Sequence, residues 1–471
     1  MKKAVIPLLC GALVACTPLS PEYVIPSLEL SDQFVNSNGG SLFNASSQKW
    51  WERLNDPMLN ALVARGSQQN LDVQAALARM DAAEASLGTV GVNGLSTGGL
   101  DGSIARDSFA GAQTTRRNLS LSGRTVLDLF GGAARRQDQA LANFDAAQLN
   151  VGVVRLAYLT DLTSAYVQAR YFQEAAAITR TTVRSRRQTL NLVNQRREAG
   201  EATELEVQRA SAQLASSEAS LPALEANFST NVFRIATLLA EPAAPILLNM
   251  QRGAAQPRPS GYTNVGLPAD LIRNRPDIRS AERSYAAATA AVGVAEAELY
   301  PSISLNGNIS TGTADSWSFG PNVNIPVFNR GALIANRDVA EANAREAEIN
   351  WRRTVLSAVE EVQSALTLCL NWRRQLTAYE RASQASDRVL ELSRESYRGG
   401  ASTLTDILDA EREVASNRLA VADAIRNYTL SWLEVQITTG QGWLTSPDAT
   451  GGETMRPQMR SDPLGVAAAL R

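Results

Sequence analysis

The sequence predicts a mixed membrane protein made from one unit that occurs twice, in which short β-strands alternate with long coiled-coil hairpins. The chain of 471 residues repeats itself with a shift of about 200 positions, so that Gly200 corresponds to Gly400 and Thr203 to Thr403. In each copy, apolar residues recur at spacings of three and four over many heptads, and shorter segments have apolar residues at alternate positions. A helix of about 65 residues would be roughly 100 Å long, more than a globular domain of this size contains.

Composition excludes several classes of protein. The net charge is −2 and no basic stripe with interleaved aromatic residues is present, so no nucleic-acid partner is indicated. Histidine is absent, which removes the commonest general base and the commonest zinc ligand, so we expect no enzyme, no metal site and no cofactor. Cys369 is the one cysteine outside the N-terminal segment, and a free cysteine of this kind is typically a small buried apolar residue.

The N-terminus predicts export. Residues 1–15 have the charged start and short apolar run of a signal peptide, and the run is too short to span a bilayer. The run ends in the motif LVAC at Cys16, which resembles the bacterial lipobox, where the cysteine becomes the lipidated first residue of the mature protein. The alternative is ordinary signal cleavage beside an incidental cysteine. Residues 16–49 are predicted to be a lipidated leader, and in enteric bacteria this resemblance implies sorting to the outer membrane.

The first repeat is predicted to cover residues 50–241. Helical spacing continues to about Leu87, a glycine-rich stretch follows, and apolar residues at alternate positions between 119 and 129 predict a strand with one apolar face. A very long helix then extends to about Arg197, and a second helix returns from Thr203 to about Ala240.

The second repeat is predicted to cover residues 269–443, after a Pro-, Gly- and Ala-rich linker or equatorial segment at 242–268. A helix ends at Pro301, and two alternating strands follow as far as Val327, with residues 312–316 at their tip. The long helical hairpin then recurs. Residues 444–471 are polar, contain Pro and Gly, and are predicted to be a flexible C-terminal tail.

Four strands per chain carry a consequence for assembly. Their apolar face and length of about ten residues suit an outer-membrane strand. Four strands cannot close a barrel, and open strand edges are not tolerated inside a bilayer. Several copies must therefore share one barrel, with their hairpins packed into a second, helical cylinder. The number of copies does not follow from the strand count.

A long motif resembles the signature of the outer membrane efflux family, the TolC-like proteins. It consists of GLPADL, NRPDI, AE, GVAEA and PSISL between residues 266 and 305. The lipobox places the chain nearer the lipoprotein branch, which is similar to OprM and NodT-type outer membrane factors. One departure from the family pattern is the absence of a proline before the first strand of the first repeat, in the glycine-rich residues 85–99, so the start of that strand is undefined.

The resemblance implies a homotrimer with a shared twelve-stranded β-barrel, a periplasmic α-barrel of coiled hairpins and a mixed equatorial region. It implies a location in the bacterial outer membrane, with lipid around the barrel and the hairpins extending into the periplasm. It also implies an exit duct for small molecules such as drugs, passively conducting them from an inner-membrane transporter of the RND type and a periplasmic adaptor (membrane fusion) protein.

Two aspartates after the second turn are candidates for a gate. Asp406 and Asp409 are three apart and so share a helix face. In a threefold assembly each would form a ring, and a ring facing the lumen would attract cations and raise its own pKa values. Paired aspartates at the matching positions line the closed periplasmic aperture of the family. The alternative is that both are solvated residues near the start of the helix, favoured there by the helix dipole.

The family also suggests a lock for this gate. Some members hold the aperture shut through bonds from a tyrosine and an arginine to an acidic residue on the neighbouring hairpin. Tyr397 and Glu206 match the tyrosine and the acid. The arginine position corresponds to Ser402, which cannot form a salt bridge, so Arg398 or Arg209 would have to replace it.

The turn glycines are candidates for partner binding. Gly200, Gly399 and Gly400 match the tips where adaptor hairpins dock in the family. A left-handed conformation at a helix C-terminus is by itself sufficient to explain glycine at such a turn, and both roles are compatible.

Other functions compete with small-molecule efflux. The exit duct of a type I protein secretion system uses the same fold, and nothing inside the chain separates the two, although lipidation favours efflux. A trimeric coiled-coil adhesin or surface scaffold would have longer uninterrupted heptads and a single block of strands. A lipid-anchored enzyme would need a nucleotide loop or clustered metal ligands, which the sequence lacks.

Overall fold

The computed structural model describes residues 45–444, apart from 91, 261–264 and 313, together with 23, 24, 27–35, 37, 40 and 42. The predicted signal peptide, the lipidation site Cys16 and residues 445–471 of the predicted tail lie outside the described residues. Those assignments therefore stay predictions.

The described chain alternates short helices, strand pairs and long helices. The α-helices are α1 (Pro57–Gln69), α2 (Leu71–Leu87), α3 (Val92–Leu95), α4 (Gly132–Glu198), α5 (Glu204–Leu238), α6 (Ala243–Gln251), α7 (Pro268–Asn274), α8 (Pro276–Ala297), α9 (Arg330–Arg398) and α10 (Leu404–Thr438). The strands are β1 (Ser96–Phe109), β2 (Ala112–Leu127), β3 (Ser302–Gly312) and β4 (Ser316–Asn324), and two 3₁₀ helices precede α1 at Ala45–Ser47 and Trp50–Leu54.

Two long hairpins dominate the molecule. Helices α4 and α5 form the first hairpin, and α9 and α10 form the second. The outgoing helices have 67 and 69 residues, and both returning helices have 35. At 1.5 Å per residue each outgoing helix is about 100 Å long. The near-identical lengths confirm the predicted repetition of one helical hairpin.

The four strands form one antiparallel sheet in the order β1-β2-β3-β4. Its register aligns Leu100, Leu121, Ile309 and Trp317 in one row across all four strands. Directly opposed residues point to the same side of a sheet, and these four side chains are 54–80% exposed. The neighbouring row on the other side consists of Asp101, Ser120, Ser310 and Ser316. The sheet therefore has one apolar and one polar face, as the alternation predicted.

The structure corrects several predicted boundaries. The alternation was expected to continue to Val327, but β4 ends at Asn324. The register would next place Ile325 opposite Pro301, and Pro326 follows; neither proline has an N–H with which to extend the ladder. The single helix predicted before Pro301 is two helices, α7 and α8. Arg275 between them is extended, with φ −83° and ψ 123°, since the residue before Pro276 is disfavoured in the helical region.

Two further segments differ from the prediction. The expected helix between residue 50 and Leu87 is a 3₁₀ turn and two helices, and the side chain of Asn70 caps the second by accepting from the N–H of Val73. The predicted linker at 242–268 contains helix α6, whose Ile246 and Met250 are buried in the main core. In the first repeat, the strand whose start was undefined begins at Ser96 and pairs with β2 along its whole length.

The main core lies where the 3₁₀ helices and the short α-helices pack against the long helices of the hairpins. Trp50, Trp351 and Trp432 are each 0–1% exposed, and the indole N–H of Trp50 donates to the carbonyl of Gln441. The buried Cys369 lies in the same cluster, as expected for a small apolar residue, and burial raises the pKa of its thiol to about 11. Among the described residues, no helix combines the length and the apolar character needed to cross a bilayer.

The end of α10 is fastened to α7 and α8 by a close backbone approach. Gly440 has φ +75°, and a Cβ at this position would lie 2.8 Å from the carbonyl oxygen of Asn274. The same carbonyl accepts a hydrogen bond from the indole of Trp443 at 2.8 Å. Glycine is therefore required at residue 440 both by its left-handed conformation and by the space available.

We predict that Gly440→Ala destabilises the protein more than Gly253→Ala. Gly253 has φ +77°, but nothing lies within 4 Å of a Cβ placed there. In both variants alanine must adopt a left-handed conformation, which lowers the free energy of unfolding by about 1 kcal/mol. Gly440→Ala also creates a clash with the backbone, which we expect to lower it by about 2 kcal/mol more. Thermal unfolding of the purified variants measures the difference. Equal losses of stability would contradict the close approach.

Candidate functional site at the hairpin tips

The turns of the two hairpins lie side by side. A small apolar cluster, called the tip cluster below, draws on both hairpins: Val193, Val207, Ala210, Leu390, Tyr397, Leu404, Ile407, Ala410 and Val414. It is separate from the main core in the described part of the chain. The two turns that the sequence singled out are therefore packed together at one end of the molecule.

Both turns end their outgoing helix in the same way. Gly200 and Gly400 have φ +80° and +76°, and the N–H of the residue after each donates back to the helix at 2.8 Å. A Cβ at either glycine would meet nothing within 4 Å, so it is the left-handed backbone that requires glycine. Gly399 has φ −77° and needs no glycine for its conformation. The predicted docking of an adaptor at these three residues stays a prediction.

Asp406 is the third residue of helix α10 and completes the capping box that starts at Thr403, the N-cap residue. Its Oδ2 accepts hydrogen bonds from the backbone N–H and from the hydroxyl of Thr403, both at 2.8 Å. These two donors stabilise the carboxylate and hold the pKa of Asp406 below its usual value. Within one chain the shift is thus opposite to the rise predicted for an assembled ring. Asp409, one turn further on, pairs with Arg412 at 2.8 Å, and both side chains are more than half exposed.

The residues proposed for a lock are distributed differently from the family pattern. Glu206 occupies the matching position in the capping box of α5, whose N-cap is Thr203: it accepts from the backbone N–H of Thr203 at 2.7 Å, and this contact lowers the pKa of Glu206. Tyr397 is 3% exposed within the tip cluster. Arg398 and Arg209 are exposed. In the described chain, no hydrogen bond joins either arginine to Glu206, or Tyr397 to Glu206.

A different arginine engages the tyrosine. The guanidinium of Arg196, from the first hairpin, lies 4.6 Å from the centre of the Tyr397 ring in the second hairpin. Its Nη1 also donates to the backbone carbonyl of Tyr397 at 3.0 Å. A cation over an aromatic face is attracted by the ring quadrupole, and the carbonyl bond fixes its position. No signal in the sequence pointed to Arg196, because it does not stand at the position of the family's arginine.

A buried carboxylate joins the two hairpins above the tips. Glu411 of α10 is 3% exposed, and its Oε1 accepts from Ser185 Oγ at 3.0 Å, Thr189 Oγ1 at 2.8 Å and Arg394 Nη2 at 2.7 Å. Ser185 and Thr189 belong to α4 in the first hairpin, and Arg394 belongs to α9. A buried charge is tolerated only when it is paired in this way. Its second oxygen, Oε2, is buried without a partner among the described residues.

Arg186 extends this network to the fourth helix. Its Nη1 donates to the carbonyl of Gln213 at 2.8 Å and to the hydroxyl of Ser217, both on α5. Burial lowers the pKa of Arg186, while the nearby charge of Glu411 opposes the shift. The network, called the hairpin clamp below, consists of Ser185, Arg186, Thr189, Gln213, Ser217, Arg394 and Glu411. It connects all four long helices.

The heptad pattern contained a signal for the hairpin clamp. Glu411 lies four residues after Ile407 and three before Val414, both of which are buried in the tip cluster. A glutamate among the buried apolar positions of a helix destabilises the fold unless its charge is paired. The partner could not be identified from sequence, because Ser185 and Thr189 are more than 200 positions away.

We predict that Glu411→Ala lowers the free energy of unfolding by about 2 kcal/mol, since the variant leaves Arg394 facing two hydroxyls without its anion. The matched control is Glu391→Ala, which removes an exposed glutamate paired with Arg388 on the same helix and should cost less than about 0.5 kcal/mol. Thermal unfolding of the purified assembly measures both. Similar losses for the two variants would show that the hairpin clamp contributes no more than a surface pair.

Comparisons with known proteins agree with this architecture. A sequence model of the outer membrane efflux protein family matches residues 62–241 and 267–441, one match in each predicted repeat. Nodulation protein T of Rhizobium leguminosarum bv. trifolii is 36% identical over 464 residues, covering 94% of this chain and 97% of that protein. The pyoverdine export outer membrane protein OpmQ of Pseudomonas aeruginosa is 29% identical, covering 92% and 94%.

Solved structures show the same fold. The outer-membrane channel OprN superposes with a TM-score of 0.81 at 30% identity, covering 91% of this chain and 100% of that chain. The open-state outer membrane channel MtrE of Neisseria gonorrhoeae superposes with the same TM-score of 0.81 at 25% identity.

Proposed function

The chain belongs to the outer membrane efflux protein family, and from that premise we propose that it is the small-molecule exit duct of a tripartite pump. Membership confirms the predicted family and fold, and it makes the chain a bacterial outer membrane efflux channel that extends into the periplasm rather than an enzyme. Members of the family form trimers in tripartite pumps.

The observation that carries the proposal is that one chain has both an exposed apolar sheet face and two hairpins whose tips pack together. The sheet has free edges at β1 and β4, so a homotrimer of this chain would close them into twelve strands. The polar face, made largely of Ser, Asn and Gly, would then line a passive lumen. The hairpins would carry that lumen about 100 Å towards an inner-membrane transporter of the RND type.

The nature of the cargo is inferred from relatives. OpmQ is named for the export of pyoverdine, and CusC of Escherichia coli, 25% identical to this chain, is named for cation efflux. Both cargoes are small. We therefore favour small-molecule efflux over the type I secretion of proteins, with drugs among the candidate cargoes and an adaptor docking at Gly200, Gly399 and Gly400.

The position of Tyr23 supports a lipid anchor at Cys16. The Tyr23 hydroxyl donates to Glu282 of α8 at 3.1 Å, and Arg283 lies over its ring. Seven extended residues, the separation of Tyr23 from Cys16, span about 25 Å. From Glu282 to the end of α8, next to the sheet, is about 22 Å along the helix. A lipid on Cys16 could therefore reach the periplasmic leaflet while Tyr23 stays docked.

At the tips we propose that Asp406 and Asp409 form the aperture and that Arg196, rather than Arg398 or Arg209, replaces the family's missing arginine. Arg196 holds Tyr397 across the two hairpins of one chain. The hairpin clamp would provide the fixed point above it. Opening would then require the contact between Arg196 and Tyr397 to break, while the deeper contacts of Glu411 keep the hairpins together.

We predict that Asp406→Ala with Asp409→Ala raises the ion conductance of the closed channel by about twofold or more and weakens its cation selectivity, because both substitutions remove negative potential from a narrow ring. Single-channel recording in planar bilayers measures both quantities. Unchanged conductance and selectivity would exclude a lumen-facing position for the aspartates.

Thr403→Ala is the control for this experiment. It removes the hydroxyl that bonds Asp406 and so weakens the helix cap, but it keeps both carboxylates. If Thr403→Ala alone reproduces the change, the effect of the double variant comes from a loosened helix start and not from the charged ring.

We also predict that Arg196→Ala raises the open probability of the channel, since it removes the contact that ties Tyr397 to the first hairpin. Arg197→Ala is the matched control, because Arg197 pairs with Glu204 inside its own hairpin at 2.7 Å. The expected result is a more frequently open channel for Arg196→Ala alone, scored as open probability in the same recordings. Equal behaviour of the two variants would refute the proposed lock.

A further inference from the structure

We propose that Arg106 and Arg117, on the β1–β2 hairpin, bind the phosphate of an anionic lipid in the outer leaflet of the membrane. Both side chains are exposed. The inference rests on the register of the sheet and on its charge pattern, and it is independent of the gate and of the cargo.

The register places both arginines on the apolar face. Arg106 is opposite Thr115, and Arg117 is opposite Ile104. Along β1 the position of Arg106 has the same parity as Leu100, and along β2 that of Arg117 has the same parity as Leu121. Since alternate residues of a strand point to the same side, the two arginines follow the apolar row towards the tip of the hairpin.

Their height matches the boundary of the hydrocarbon layer. The apolar face begins at Leu127, near the helices. Arg117 lies ten residues from Leu127 along β2, towards the tip of the β1–β2 hairpin. Ten residues rise about 33 Å, and a strand tilted by about 40° spans about 25 Å of membrane, the height of the apolar band in such proteins. The far end of the hairpin points away from the periplasmic helices. The arginines therefore lie at the level of the outer headgroups.

The hairpin also projects beyond its neighbour in the sheet. The pairing of β2 with β3 ends at Asn118, opposite Gly312, so residues 112–117 of β2 pair with β1 alone. A lipid headgroup can approach Arg106 and Arg117 over the end of β3 without displacing a strand.

The β1–β2 hairpin has charged diagonal neighbours on both of its faces. Asp107 and Arg116 occupy the same diagonal relation as Arg106 and Arg117, and they form an ion pair at 3.2 Å. Diagonal neighbours in an antiparallel pair are within reach of long side chains. On the outward face the diagonal neighbours are Arg106 and Arg117, two groups of like charge, and the outward positions of β1 and β2 carry no acidic residue.

An anion between the two arginines would convert their repulsion into attraction. Guanidinium groups bind phosphate through paired, charge-assisted hydrogen bonds. Ile104 and Leu119 lie next to them on the same face, 76% and 47% exposed, where acyl chains would pack. A ligand that meets both surfaces carries phosphate and acyl chains, so we infer a phosphorylated lipid rather than free phosphate.

The test compares Arg106→Gln with Arg117→Gln against Arg116→Gln with Arg124→Gln. The control removes the same two charges from the polar face of the same sheet. The purified assembly in detergent is incubated with diphosphoryl lipid A, with its dephosphorylated form or with inorganic phosphate, and native mass spectrometry counts the bound molecules.

We expect diphosphoryl lipid A to bind the unmodified protein and the control equally, and to bind the outward-face variant about tenfold more weakly or worse. The dephosphorylated lipid should bind weakly to all three. Equal binding by both variants, or equal binding of the two lipids, would overturn the proposal, and so would binding of inorganic phosphate as tight as that of the lipid. The outward-face variant should keep its assembly state and its conductance, so a loss of lipid cannot be mistaken for a failed channel.

Discussion

A backbone polar group in hydrocarbon must have a partner, and this requirement governs the assembly of the whole molecule. The sheet of one chain has free edges along β1 and β4 and an apolar face of exposed Leu, Ile and Trp. Neither the edges nor that face is satisfied by anything else in the described chain. Copies of the chain must therefore meet edge to edge, and once they do, the hairpins below are brought into a ring. The number of chains that close the barrel therefore also determines the number of hairpins around the axis.

Within one chain, the two hairpins are joined by polar contacts of unequal depth. The hairpin clamp centres on the buried Glu411, which receives three donors from two hairpins of the same chain. The contact of Arg196 with Tyr397 lies nearer the turn and involves a ring face and one carbonyl. Because the deeper contacts are costlier to break, movement of the tips would begin at the turn.

The sequence predicted the parts of the fold that depend on periodicity. The length of α4, the position of the turns and the apolar face of the sheet all follow from spacings of two, three and four residues. The predicted boundaries were wrong where a single proline interrupts a regular pattern, as at Pro276 and Pro326. The start of β1 could not be predicted, because its many glycines leave no clear alternation of apolar and polar residues. At the site, the family resemblance singled out Asp406 and Tyr397, whose role in a gate stays a prediction. Arg196 and Glu411 could not be found, because their partners are about 200 residues away and only packing brings them together.

The two capping boxes set how the tips respond to acid. Glu206 and Asp406 each stabilise the start of a returning helix as anions, and in both the pKa is held below its usual value by hydrogen bonds from a threonine. A carboxylate of this kind contributes stability above its unfolded pKa and loses it only as the pH falls through the lowered folded value. The helix starts therefore stay capped in mildly acidic surroundings.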